Sequence, residues 1–330
     1  MNTHAIPRKL SLLLAVTAFL LNLGCSRQKT GSLRLGINGW PGHEFLYLAR
    51  EKDFFREEGL EVSIIEFNSL SDSRRAYERG QIDAMGSTVI EVLQTHERSR
   101  RSPEIVQIVD HSDGADVILA RPGIDSCAAL RGARVGVELA SIGIYVLTRG
   151  LEKSGLSVGD IETVPMDESS MEHAFRNGEL DAIVTYPPTS VRLLRDLKIS
   201  TVFSSAEIPG EVVDVIAVEA EVNSKRPADV ARLLRAFHRA IAYTRQNPRD
   251  AHRIMAEREG ITPMEFREAL SGGIRLVPQS EQAAYLRPGG KLAAVIDTSD
   301  RVLRQSGQIK GPDRRGACSN ASFLGEDVSP

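Results

Sequence analysis

The chain has 330 residues, 42% of them hydrophobic and 26% charged, the composition of an ordinary globular protein, which sets aside disordered and fibrous classes. A formal net charge of -3 and a pI near 6.2 leave no basic footprint for nucleic acid, so no nucleic-acid partner is expected. The length suits two lobes better than one core.

At the N-terminus, Arg8 and Lys9 precede an apolar run from Leu10 to Leu21, and Leu23-Gly24-Cys25 follows. A basic start, a short apolar stretch and a small residue before a cysteine read as a signal peptide, residues 1–24. A spanning helix needs about 20 apolar residues, more than this run offers. The segment resembles a bacterial lipobox, which implies lipidation of Cys25, a linker over 25–32 and an anchor in the inner or outer membrane. Asn22 and Leu23 depart from the usual pattern, so ordinary secretion stays as the alternative.

From Leu33 short apolar runs alternate with helical spacing, the pattern of βα units. Leu33, Leu35 and Ile37 alternate as a strand; Phe45, Leu48 and Ala49 recur as a helix; Gly59 closes it, and Val62 and Ile64 open a second strand. The next unit runs from Asp72 to Gly80. A weak internal repeat follows: Glu51-Lys52-Asp53, Gly59-Leu60 and Gly80-Gln81-Ile82-Asp83-Ala84 are echoed by Glu152-Lys153-Ser154, Gly155-Leu156 and Gly178-Glu179-Leu180-Asp181-Ala182. Two lobes of similar build are expected, each with glycines ending helices in the left-handed conformation. The apolar runs Val117–Ala120 and Val215–Val218 are expected to cross between lobes. That places lobe 1 at 33–117 and 217–310, the second part mostly helical and opened by Pro227, with lobe 2 at 118–216. Residues 311–330, rich in Gly, Ser, Asp and Arg, read as a disordered tail. Cys127 and Cys318 lie in a compartment that permits disulfides, and nothing in their spacing says whether they pair.

Ligands of open α/β sheets sit beyond the carboxyl ends of strands. There lie Trp40, Pro41, Gly42 and His43, where the single tryptophan walls a ligand or packs the cleft base. Ser87 and Thr88 begin a helix, with Thr88 and Glu91 forming a capping box; Ser141 precedes a second helix in which Gly143 allows close approach. Backbone N–H groups at both starts suit an anion or a simple cap. Asp110, His111 and Asp113 fall in a polar cluster at the expected hinge, as does Asp214; they receive a ligand or brace the hinge. Tyr186 is expected to face Trp40 across the cleft. No nucleophile elbow, dinucleotide fingerprint, phosphate loop, zinc-protease motif or Cys-x-x-Cys pair occurs, so no catalytic residue, metal or cofactor is assigned.

Trp40-Pro41-Gly42, Leu46 to Lys52, Phe54-Phe55, Glu58-Gly59-Leu60, Gly80 to Ala84, Ser112 to Asp116 and Val135 to Glu138 together resemble the substrate-binding proteins of ABC importers in the nitrate, sulfonate, taurine and thiamine-pyrimidine precursor group. The resemblance covers 33–248. It implies a type II periplasmic-binding fold, two α/β lobes joined by a two-stranded hinge, with ligand contacts near Trp40, Ser87-Thr88, Asp110 to Asp113, Ser141 to Gly143 and Tyr186. It also implies a monomeric, non-enzymatic periplasmic lipoprotein whose partners are a small molecule, a permease and an ATPase. A sensor for a membrane signalling partner and a thiamine-pyrimidine biosynthetic enzyme are the alternatives. Pro187 stands where many relatives carry an acidic residue, so the ligand class does not carry over.

Overall fold

A computed structural model describes residues 31–313 and 315–324. The expected signal peptide and Cys25 lie outside them. Among the described residues no helix is long and apolar enough to cross a membrane.

Eleven strands form two sheets. The larger one is ordered β11-β4-β10-β3-β1-β2, from β1 (Leu33–Ile37), β2 (Val62–Glu66), β3 (Ala84–Thr88), β4 (Pro103–Ser112), β10 (Val213–Glu219) and β11 (Ile274–Leu276). The smaller one is ordered β7-β6-β8-β5-β9, from β5 (Val117–Ala120), β6 (Arg134–Val137), β7 (Glu162–Pro165), β8 (Ala182–Thr185) and β9 (Ser200–Ser204). In each sheet a central strand runs parallel to two neighbours, β1 between β2 and β3 and β6 between β7 and β8. Each then gains antiparallel strands, β10 on β3 in one case and β5 on β8 in the other. The internal repeat is thus a repeat of sheet construction.

The described α-helices are α1 (Glu44–Glu51), α2 (Phe54–Glu57), α3 (Leu70–Glu78), α4 (Val89–Arg98), α5 (Ile142–Lys153), α6 (Glu168–Arg176), α7 (Thr189–Asp196), α8 (Ala220–Lys225), α9 (Pro227–Gln246), α10 (Pro248–Glu259), α11 (Pro263–Gly272), α12 (Gln282–Leu286) and α13 (Lys291–Gln305). Leu33, Leu35 and Ile37 put one face of the large sheet against Phe45 and Leu48 of α1 and Val230, Leu233 and Phe237 of α9. Phe45 and Phe237 meet edge to face at 6.2 Å. Gly59 and Gly155 have φ of 72° and 70°, and Gly80 and Gly178 have 73° and 84°. These are the left-handed helix ends that the repeat predicts, at positions where a Cβ would add strain.

Two expectations about chain organisation are corrected. The apolar runs do not cross between lobes. Val117–Ala120 lies wholly in the small sheet, and Val215–Val218 pairs with β3 and β4 in the large one. They are apolar because they are interior strands covered on both faces. The crossings are the neighbouring segments 113–116 and 205–212, tied by Ser205, whose hydroxyl lies 2.7 Å from that of Ser112 and accepts the Gly114 amide at 2.7 Å. Lobe 2 accordingly ends before Val213, not at residue 216.

The second correction is the tail. Cys318 and Phe323 are buried, and Ser319 bridges Ile105. The Ile105 amide donates to Cys318 O at 2.8 Å, and the Asn320 amide returns to Ile105 O at 2.9 Å. The cause is an uncovered edge: β11 reaches β4 only at Asp110 to Ser112, so the start of β4 takes its partner from the tail. No disulfide joins the buried Cys127 and Cys318.

Candidate functional site

The carboxyl ends of β1 and β3, with the facing parts of β4 and β10, converge on the space between the lobes. Asp214 at the start of β10 is in register with Thr88 on one side and Asp110 on the other, which stacks three polar side chains across adjacent strands. The loop after β1 turns through Trp40, whose carbonyl accepts the amides of His43 at 2.8 Å and Glu44 at 3.1 Å to start α1. Pro41 is buried in the same turn. Trp40 Nε1–H donates to Asp110 Oδ2 at 3.1 Å, and its ring meets Tyr186 of the other lobe edge to face at 6.0 Å. The expected aromatic pair is therefore present. A Cβ on Gly42 would stand 1.8 Å from Asp110 Oδ2, so only glycine lets that carboxyl pack here.

Burial dominates the electrostatics of this inner wall. It pushes the Asp116 and Asp110 carboxyls up to about 7 and, with Asp110 alongside, raises Asp214 well above the usual carboxylate range. His43 is fully buried; desolvation and the Arg258 charge drive its imidazole down to about 3. Its Nε2 approaches Asp214 Oδ1 at 3.9 Å. With the imidazole neutral and the carboxyl protonated, this is a polar contact and not an ion pair. Buried acids that share protons, with no cation near, can receive hydrogen-bond donors or positive charge.

The two helix starts are occupied by one side chain. Thr88 caps α4 in the expected capping box, its amide donating to Glu91 Oε2 at 2.9 Å. Ser141 makes no side-chain cap of its own. Instead, Glu91 Oε1 crosses the cleft and accepts from Ser141 Oγ at 2.9 Å and from the Ile142 amide at 2.8 Å. The carboxylate that the positive end of α5 attracts is thus supplied by the opposite lobe. Gly143 follows, where a Cβ would stand 3.2 Å from Glu138 O. The Ser71 hydroxyl donates to Glu138, and Arg74 Nε donates to Ala140 O at 3.3 Å; both also join the lobes. Ser87 is buried beside Thr88, its hydroxyl directed at Thr88 O.

Outside Tyr186 the cleft opens to about 300 Å³, bounded by Gly39, Phe67 and Asn68 on one lobe and Ser169, Pro188 and Thr189 on the other. Glu168, Glu259, Arg192 and Arg258 supply its charge.

His111 and Asp113 do not join this site. They lie in a separate depression of about 170 Å³ with Pro209, Gly210, Arg275 and Tyr285. His111 Nε2 is 2.9 Å from Tyr285 Oη, and Asp113 pairs with Arg275 at 2.5 Å. The reason is strand alternation: Asp110 faces the cleft, so its neighbour faces away. Sequence reasoning also missed Glu91 as a cross-lobe ligand, and Glu168, Glu259 and Arg258 altogether. Glu91 was visible only as the third residue of a capping box. Arg258 and Glu259 end a helix more than 200 positions from Gly39, beyond the reach of local pattern. Among the described residues no cluster of His, Cys, Asp and Glu could hold a metal.

Known proteins resemble this chain in sequence and in fold. The chain is 24% identical over 276 residues to the taurine-binding periplasmic protein of Escherichia coli, covering 78% of this chain and 82% of that protein. It is 25% identical over 229 residues to 4-amino-5-hydroxymethyl-2-methylpyrimidine phosphate synthase of Aspergillus parasiticus, covering 63% of this chain and 64% of the synthase. The alkanesulfonate-binding protein of Xanthomonas axonopodis pv. citri, solved with MOPS bound, superposes with a TM-score of 0.73 over 86% of this chain and 95% of its own, at 18% identity. That likeness fixes the fold as the two-lobed one of periplasmic binding proteins. The family model matches residues 40–251, more than half of the sequence, and the chain belongs to the NMT1/THI5-like family.

Proposed function

We propose that the chain is the extracytoplasmic solute-binding protein of an ABC importer, taking a small organic molecule into the interlobe cleft and presenting the closed form to a permease and its ATPase. The observation that carries this reading is the cleft itself: about 300 Å³ between two lobes that the chain joins by two short crossings, walled by Gly39, Phe67 and Asn68 from one lobe and by Tyr186, Pro188 and Thr189 from the other. Two connections permit hinge motion, and a solute that touches both lobes favours the closed form by its differential contacts. The named functions of the E. coli and Xanthomonas relatives support the same reading. The mature protein is a monomeric lipoprotein held on the periplasmic face through Cys25, with the cleft free of catalysis.

Thermal unfolding against a solute panel tests the binding role. A solute at a hundredfold excess over its dissociation constant stabilises the native state by about 2.7 kcal/mol. We expect one chemical class to raise the midpoint and Tyr186→Phe, which keeps the ring and removes the hydroxyl, to weaken that response. A panel that leaves the midpoint unmoved counts against the reading. For the anchor, Cys25→Ser is expected to release the protein from the membrane fraction; retention there would contradict lipidation.

A further inference from the structure

Among the described residues, two acids of the cleft, Glu168 and Glu259, take part in no ion pair. Glu168 and Glu172 of α6 face Glu66, the last residue of β2, and Glu259, at the end of α10, with Arg192 and Arg258 among them. Both guanidiniums are already engaged. Arg192 reaches Glu172 at 2.6 Å, and Arg258 binds Glu44 and, at 3.2 Å, Glu66. What remains is acidic. Glu259 is only 5% exposed and neither of its carboxyl oxygens has a partner; the Tyr186 hydroxyl, from the other lobe and 6% exposed, has none either. Glu168 is buried and held by the hydroxyls of Thr185 and Thr189. Buried polar atoms left in this way cost stability until a partner arrives. Burial pushes Glu168 up to about 8 and Glu259 well above the usual carboxylate range, and for Glu259 it outweighs the lowering pull of the nearby Arg258 and Arg192 charges.

The positions that would hold an oxyanion are taken. The starts of α4 and α5, where amides and helix dipoles converge, both end on the Glu91 carboxylate. A solute bearing only negative charge would have to displace Glu91 or enter a lining of unpaired acids.

We propose that the cleft takes a small organic cation, a compound with an ammonium, amidinium or protonated heterocyclic nitrogen, whose N–H groups donate to Glu259 and Glu168 while Tyr186 supplies the remaining polar contact. This rests on the reading of the chain as a solute-binding protein and narrows its solute. Binding releases to solvent the protons that burial holds on Glu259 and Glu168, and charge-assisted hydrogen bonds to the resulting carboxylates give the cation both affinity and orientation.

Trp40, the single tryptophan, meets Tyr186 edge to face and serves as the reporter. The full chain, purified in mild detergent, is titrated with agmatine, putrescine and 4-aminopyridine in one series and with sodium nitrate and sodium methanesulfonate in another. At least one cation is expected to change the fluorescence saturably at or below about 1 mM, with no response to the anions. Glu259→Gln, with its thermal midpoint kept, is expected to weaken that cation about tenfold, the loss of one charge-assisted bond. A saturable response to nitrate or methanesulfonate with none to the cations would overturn the cation assignment and leave the solute-binding role intact. Silence in both series would overturn both. Cation binding unchanged in both Glu259→Gln and Glu168→Gln would overturn the placement of the site.

Discussion

Asp110 and His111 are consecutive in β4 and lie on opposite sides of the hinge. On the cleft side, Asp110, Asp214 and Asp116 are buried; Trp40 donates to Asp110, and among the described residues none of the three forms an ion pair with Lys or Arg. On the far side, Asp113 meets Arg275, whose side chain is 74% exposed, and His111 meets Tyr285. There the acid has an exposed cation to pair with, while His111 is buried, its Nε2 beside Tyr285 and its Nδ1 without a partner. The cleft side is desolvated and short of positive charge, which is the condition of a surface shaped to receive something. A polar cluster in the sequence is thus divided by strand alternation between the two sides of the hinge.

The largest test of that contrast is Trp40→Ala. Removing a buried tryptophan that also donates to Asp110 is expected to destabilise the fold by about 3–5 kcal/mol in urea denaturation. A loss under 1 kcal/mol would show that the ring is not part of the packed wall. Gly42→Ala comes next: a Cβ 1.8 Å from Asp110 Oδ2 forces the carboxyl or the turn to move, for a loss of about 1–3 kcal/mol. An unchanged stability would mean that the close packing of the turn on Asp110 is not real.

The pH dependence follows from the buried acids. Asp116, at about 7, Glu168, at about 8, and the raised Asp110, Asp214 and Glu259 hold protons in the folded state that the unfolded chain releases near pH 4. Between about pH 7 and about pH 8.5 the native state therefore binds more protons than the unfolded one, and stability falls as pH rises. The buried histidines, with His43 at about 3 and His238 at about 4, act in the opposite sense, but their unfolded forms are neutral by about pH 7. A thermal midpoint that rises across this window would contradict neutral acids in the cleft. The smallest effect belongs to the far side. Arg275→Ala removes a solvated ion pair and is expected to change stability by less than about 1 kcal/mol and solute binding not at all; a clear loss of binding would move the site to that depression.

Much of the fold was legible. The alternation at Leu33, Leu35 and Ile37, the glycines at 59, 80, 155 and 178 and the Thr88 capping box are local signals, and each appears as read. The Trp40 and Tyr186 pair followed from placing both after strands. What failed was non-local. An apolar run such as Val215–Val218 fits a buried strand as well as a crossing, and only its pairing with β3 and β4 decides. The tail looked polar because its two anchors, Cys318 and Phe323, are isolated in a hydrophilic stretch, and the edge of β4 that they cover is set by how far β11 extends. Glu259 and Arg258 reach the cleft through the packing of α10, which no spacing encodes.

Hydrogen–deuterium exchange with and without a solute that raises the thermal midpoint tests the central claim most directly. The account expects new protection at residues 38–42 and 185–192, the two walls of the cleft, with residues 111–113 and 275–285 unchanged. Protection confined to the latter two segments would contradict it and place the binding site on the far side of the hinge.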